Sequence, residues 1–248
     1  MNKLIYAVIL LLLPLHANAQ DEQGERYECL MEPAVEIALS SSVAGVIKTI
    51  NVDRGDVVKR GQILVKLEAA GELAAIKLAK AKLEFGQRKV DRTKELYREK
   101  FTSEYSVDEA VTETRLAEVE VAQARTLLGL KTLRSPINGI VVERLAEAGE
   151  FVADDEILKL AQLDPLHVEV ILPVDMLNLI KDGMQATVYP GAVVGGEYKA
   201  KVITVDKVLD AASGTFGVRL ALPNPKSKLP AGLRCMVEFH AESMTSTH

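Results

Sequence analysis

Two long helical patterns between residues 71 and 131, set between two copies of one short β motif, restrict the fold of this chain more than any other feature. The first carries Ile76, Leu83, Val90 and Tyr97 at a spacing of seven, with the small or short residues Ala79, Gly86 and Thr93 on the adjoining seam. The second repeats the device with Val107, Thr114, Val121 and Leu128 beside Ala110, Ala117 and Ala124. A seven-residue apolar repeat predicts a left-handed coiled coil, and a seam of small side chains lets two helices approach closely. Neither half contains proline, and the break falls between Phe101 and Ser106. There Ser103 or Ser106 can cap the second helix, and Ser106 with Glu109 fits a capping box. At the standard helical rise each arm reaches roughly 40 Å. Thin apolar stripes on heavily charged helices suit a free-standing rod better than a helical hairpin buried in a globular core.

The flanking β motif reads as short apolar alternations punctuated by glycine turns: Val35 to Leu39, Gly45 to Ile50, Asp53 to Val58, then Gly61-Gln62 and Ile63 to Leu67. Residues 21 to 29 are polar and are expected to be loosely ordered. An offset of 94 positions pairs Gly45 with Gly139, Ile47 with Val141, Gly55 with Gly149, Asp56 with Glu150, Val58 with Val152 and Ile63-Leu64 with Ile157-Leu158. Halves of this size cannot each bury a core, so they are expected to fold together as one pseudo-symmetric sandwich or flattened barrel, with the two ends of the helical insertion side by side.

The chain opens with Lys3, an apolar run from Leu4 to Leu15 and Ala17-Asn18-Ala19, the layout of a signal peptide over residues 1–19 cleaved before Gln20. The run is too short to span a bilayer and no later stretch is longer, so a soluble mature chain exported to the periplasm of a Gram-negative cell is expected. Cys29 lies too far beyond the cleavage point to carry a lipid. Lys and Arg number 30 against 35 Asp and Glu, a net charge of −5 that becomes about −6 when Lys3 leaves with the leader. With that acidity, no tryptophan and few aromatics, nucleic acid is not an expected partner. The length permits more than one domain. Cys29 and Cys235 each stand in a strand-like run; an even count in an oxidising compartment suggests a disulfide, two buried free thiols being the alternative.

Gly45, Gly55-Asp56, Val58, Gly61-Gln62 and Leu64, with Ser135-Pro136-Ile137 and Gly139 later, resemble the split biotinyl-lipoyl module of the periplasmic adaptor, or membrane fusion protein, family of tripartite efflux pumps. The resemblance covers nearly all of the mature chain. It implies a mixed α and β, elongated, multi-domain architecture: a coiled-coil hairpin at 69–131 inserted in a split lipoyl-like β-sandwich at 41–68 and 132–162. A small β-barrel at 163–240 follows, to which the segment 20–40 adds a strand, and a tail at 241–248. In biotin or lipoyl carriers the two halves meet at a turn presenting the modified lysine; no lysine stands there in this chain, so no cofactor is expected. Adaptors that dock onto TolC-like outer-membrane channels are similar in carrying an arginine, a leucine four residues on and a serine seven further. Arg92, Leu96 and Ser103 match, with Asp108 and Ala110 after them. Arg92 and Leu96 share a helix face, and together the three offer a five-donor cation, an apolar knob and a hydroxyl. Taken singly they are a solvated arginine, a seam leucine and an N-cap serine.

From Leu163 the pattern becomes a second β unit: a strand at His167 to Pro173, a short helix at Val174 to Ile180, then strands at Gly183 to Tyr189, Tyr198 to Val208, Gly217 to Ala221 and Leu233 to Phe239. Its closing Leu229-Pro230-Ala231-Gly232 resembles the adaptor barrel, and the family implies that this barrel faces an inner-membrane transporter, of the resistance-nodulation-division or the ABC type. That places the chain peripheral to the inner membrane, self-associated into a ring or funnel. Many adaptors carry a fourth, membrane-proximal domain built from both termini, whereas this sequence runs only a little past Phe239; if that domain is absent, contact with the transporter rests on the barrel and the lipoyl-like module. No catalytic constellation is apparent: His167, His240 and His248 are dispersed, and Met31, Met176, Met184 and Met236 read as core filler rather than soft-metal ligands. The expectation is a non-enzymatic adaptor. A periplasmic solute- or metal-binding protein and a biotin or lipoyl carrier are the readings it displaces.

Overall fold

The duplication is written into the hydrogen bonds of the computed structural model, which describes residues 25–192 and 194–240; the expected leader and tail lie outside them. Strand β1 (Arg26–Ser40) leads into β2 (Gly45–Ile50), β3 (Val57–Val58) and β4 (Ile63–Leu67). After the helices α1 (Ala70–Arg98) and α2 (Glu104–Leu130) and the short β5 (Thr132–Arg134), the copy follows as β6 (Gly139–Arg144), β7 (Phe151–Val152) and the start of β8 (Glu156–Pro173). Each half is bonded through the other. The Gly55 N–H donates to Val141 and the Gly149 N–H to the equivalent Ile47, both at 2.8 Å, while Ile47 donates to Glu150 at 2.8 Å and Val141 to Asp56 at 2.9 Å. Both turn glycines sit at positive φ, 92° and 96°, a region that excludes other side chains at low cost. Neither half could satisfy its backbone alone. The core is shared in the same way, since the duplicate pairs Ile47 and Val141, Val58 and Val152, and Leu64 and Leu158 are all buried in one cluster.

The second unit is a closed barrel. Past β8 come β9 (Gln185–Pro190), β10 (Tyr198–Val205), β11 (Thr215–Leu222) and β12 (Leu233–Phe239). The pairing order β1, β12, β9, β10, β11, β8 returns to β1, which leaves six strands with no free edge. Leu166, Val168, Val170 and Leu172 of β8 point inward at period two, while Glu169 and Ile171 stand outside. β1 and β8 pass through both cores: Leu158 and Leu160 belong to the duplicated unit, Leu166 and Val168 to the barrel.

Two local expectations fail. Residues 26–29 are not loosely ordered but form the start of β1, because this stretch pairs with β12 throughout and from Cys29 onward with β8 as well. The helix expected at Val174 to Ile180 shrinks to one 3₁₀ turn, Val174–Met176, closed by a Leu177 N–H to Val174 bond of 3.0 Å. Gly183 is tied to Val202 at 2.9 Å, which draws the chain into β9 before a longer helix can form.

α1 and α2 run antiparallel, with Lys82 bonded to Glu120 at 3.0 Å and Lys89 to Glu113 at 2.6 Å across the pair. The buried positions are Ala79, Gly86 and Val90 on α1 and Ala110, Thr114, Ala117, Val121 and Ala124 on α2, all on the predicted stripes. Tyr97 departs from its stripe: it is 44% exposed, in the last turn of α1, where α2 no longer covers it. A Cβ at Gly86 would lie 2.8 Å from the Thr114 hydroxyl, so glycine permits a close approach of the two helices at this level.

Candidate docking surface at the tip of the helix pair

The tip is built by two helix caps in succession. At the end of α1, the Lys100 N–H donates to Tyr97 at 2.9 Å and the Phe101 N–H to Leu96 at 2.8 Å, with Lys100 at φ 64°. This is a Schellman termination, and it holds a lysine where glycine is the usual residue. Ser103 then caps α2: its hydroxyl accepts the Ser106 N–H at 3.3 Å and lies 3.0 Å from the Ser106 hydroxyl. Of the two serines offered by the sequence, Ser103 is the cap, and Ser106 is already inside the helix. The capping box of Ser106 with Glu109 is therefore not formed.

Arg92 and Leu96 occupy the last two turns of α1, and Ser103 stands across the turn from them. Arg92 is exposed and joins no ion pair among the described residues; Leu96 is 40% exposed although its carbonyl is locked by Phe101. The tip also displays Phe101 in the turn and Tyr105 in the first turn of α2, 77% and 75% exposed, which the spacing argument did not single out. Their signal was available: two aromatics bracketing a helix break in a chain with few aromatics. Asp108 is exposed and its carbonyl accepts the Thr112 hydroxyl at 2.7 Å, whereas Ala110 is fully buried in the seam and acts by packing.

The base of the pair is tied to the duplicated unit. Lys131 donates to the Ala44 carbonyl at 3.0 Å and lies 3.3 Å from Glu72, joining both helix ends to the loop before β2. A bond to its own backbone N–H, reinforced by Lys131, holds the Glu72 carboxyl below the usual range. Along the rod, the bond to Glu113 lifts the Lys89 ammonium above its ordinary pKa.

Elsewhere the functional candidates stay apart. Cys29 and Cys235, register partners on β1 and β12, form a disulfide. His240 pairs with Thr187 at 2.7 Å, and His167 lies on the outer face of β8; burial first, then the Arg219 charge, depresses its pKa. Met31 is fully buried in the barrel core, Met176 and Met184 pack against that core, and Met236 lines an outer groove. Among the described residues no three His, Cys, Asp or Glu side chains converge, and no helix is long and apolar enough to cross a membrane.

Comparison with known proteins gives two family matches: a CzcB-like barrel-sandwich hybrid domain over residues 36–162 and a CusB-like β-barrel domain over residues 165–243. The cobalt-zinc-cadmium resistance protein CzcB of Cupriavidus metallidurans is 25% identical over 214 residues, covering 79% of this chain and 41% of that protein. The solvent efflux pump periplasmic linker SrpA of Pseudomonas putida is 26% identical over 211 residues, covering 77% of this chain and 54% of that protein. The chain thus spans about half the length of the curated relatives it matches. Among solved structures, a MacA-MexA chimeric protein containing the Pseudomonas aeruginosa MexA α-hairpin domain has the same fold, with a TM-score of 0.75 at 22% identity over 88% of this chain and 79% of that one.

Proposed function

The chain belongs to the periplasmic adaptor, or membrane fusion protein, family with a CzcB-like barrel-sandwich hybrid domain, and from that premise we propose that it bridges an inner-membrane transporter to a TolC-like outer-membrane channel in a tripartite efflux pump. The observation that carries the proposal is the placement of the helix pair. It leaves the junction of two interlocked half-motifs, is anchored there through Lys131, and puts Arg92, Leu96 and Ser103 at its far end. A rod of 29 residues extends about 43 Å, a length suited to reaching a second protein rather than to lining a pocket.

In this reading residues 1–19 are a cleaved leader that delivers the chain to the periplasm. Residues 41–68 and 132–162 form a lipoyl-like module that stacks with neighbouring copies, 69–131 a coiled coil, and 20–40 with 163–240 a barrel facing the transporter. The transporter is of the resistance-nodulation-division type. The pump exports small molecules or ions; the relatives' names point to divalent metals for one and organic solvents for another. The chain works by assembly, transmitting transporter motion to the channel through contact geometry rather than through chemistry.

The test is genetic. Deleting the gene should sensitise the host to the pump's substrates, and a chain carrying Leu96→Asp should fail to restore resistance while accumulating to the normal level. Full restoration by that variant would remove the tip from the mechanism, and a deletion without any change in susceptibility would remove efflux itself.

A further inference from the structure

The outer wall of the barrel carries a groove of about 820 Å³ that the bridging role leaves unused. Strand alternation builds it. Cys29, Met31, Val170 and Val237 turn into the core, so the residues between them share the outer face. There Glu28 faces Met236 and Met236 faces Tyr189, while Glu169 faces Leu30 and Leu30 faces Arg234. The floor is apolar, made of Leu30, Ile171, Met236, Tyr189 and Pro190. Ile171 is 71% exposed and Leu30 38%, in a wall whose inner face already packs a complete core.

The rim is acidic. Glu28, Glu32 and Glu169 line the groove, and the Asp206 carboxylate fills the space that a Cβ on Gly217, the register partner of Ile171, would take. Against these four carboxylates stand two guanidinium groups: Arg219, bonded to Glu169, and Arg234, which joins no ion pair among the described residues. Arg26 is engaged elsewhere, 3.2 Å from Glu238 and 4.1 Å over the Tyr189 ring. His167, opposite Glu32 on β8, has its pKa depressed and stays neutral at pH 7. Two negative charges therefore remain in excess around an apolar floor.

We propose that this groove binds an organic cation with an apolar body, of the quaternary or charge-delocalised onium class. Its hydrocarbon covers Ile171, Leu30 and Met236, and its charge sits among Glu28, Glu32 and Asp206. The volume lies within the range of small-molecule sites, roughly 300–1,000 Å³. A metal ion does not fit: Glu28 and Glu32 are four residues apart on one strand, about 13 Å, and no three potential ligands converge among the described residues. An anion meets the excess negative charge, and a neutral apolar molecule gains the floor but leaves that charge unbalanced. A weakly hydrated onium ion gains both, because its spread charge costs little to draw out of water. The inference goes beyond the bridging role and requires neither transporter nor channel.

Titration calorimetry of the purified mature chain with tetraphenylphosphonium tests it apart from any pump. Saturable one-to-one binding is expected at about 10–100 μM. Tetraphenylborate, of nearly the same shape and opposite charge, should bind at least tenfold more weakly. Ile171→Lys should weaken tetraphenylphosphonium at least tenfold, and Glu28→Gln combined with Glu32→Gln about fivefold. Leu78→Lys, which removes an exposed apolar side chain from the rod, should leave binding unchanged. Absence of saturable binding, equal affinity for the two ions, indifference to Ile171→Lys, or an equal loss with Leu78→Lys would each overturn the site. Circular dichroism of every variant verifies that the fold is retained. Capture of a channel from the tip, or failure to capture one, bears on the proposed function and leaves this result untouched.

Discussion

Replacing Gly86 by alanine sets two effects of opposite sign against each other, and the structure decides between them. In an isolated helix the change is favourable by about 1 kcal/mol. Here the new Cβ would stand 2.8 Å from the Thr114 hydroxyl and 3.4 Å from its Cα and Cβ. Thr114 is buried, its χ1 is restricted in a helix, and its hydroxyl already donates to the Ala110 carbonyl at 2.8 Å. Either that bond is given up or the helices separate locally, loosening the contacts of Ala79, Val90, Ala117 and Val121. Overpacking of this kind costs about 1–3 kcal/mol, so Gly86→Ala should be net destabilising by about 1 kcal/mol. In a Thr114→Ala background the hydroxyl is gone and only ordinary contact remains, so the same substitution should become stabilising. The coupling between the two sites is then about 2 kcal/mol, measurable as a double-mutant cycle from urea unfolding followed by helical circular dichroism. A single Gly86→Ala variant that gains the full helix-propensity increment would show that the seam is not closed at this level and would refute the reasoning.

Further outcomes follow from the caps, the disulfide and the barrel's outer face. Lys100→Gly relieves a left-handed backbone position at φ 64° and should raise stability by about 1 kcal/mol in the same unfolding assay; a loss would mean that the Schellman turn is not retained. Reducing Cys29–Cys235, which closes a sequence separation of 206 residues, should lower the unfolding free energy by about 2–4 kcal/mol, and identical denaturation midpoints with and without reductant would contradict it. His167 has its pKa depressed below the ordinary 6.5, so the unfolded chain takes up its proton first as pH falls. Stability should be unaffected by this group above that value and decline below it, down to the folded-state pKa, and His167→Gln should flatten that part of the profile. An unchanged profile would show that the imidazole is not desolvated.

Much of the architecture was legible because it rests on periodicities. The offset of 94 reappears in reciprocal hydrogen bonds between Gly55 and Val141 and between Gly149 and Ile47, and the seam alanines fall where a seven-residue repeat puts them. What escaped rests on tertiary pairing. The start of β1 looked too polar for order because Arg26 and Glu28 face outward, yet Cys29 beside them is buried between β8 and β12. The end of α1 carried no glycine to mark its left-handed cap; Lys100 takes that conformation because the Phe101 N–H reaches Leu96 only from there. Of the tip residues, Ser103 proves to have a structural duty as the cap of α2, so substituting it mixes lost docking with a destabilised helix.

For that reason the most direct test of the bridging role places a photo-reactive amino acid at Phe101, which is 77% exposed at the very end of the rod. Irradiation of intact cells, followed by mass spectrometry of the captured species, should yield an outer-membrane channel protein, and Leu96→Asp in the same chain should abolish the product. Recovery of only soluble or inner-membrane proteins, or a cross-link indifferent to Leu96→Asp, would contradict the account.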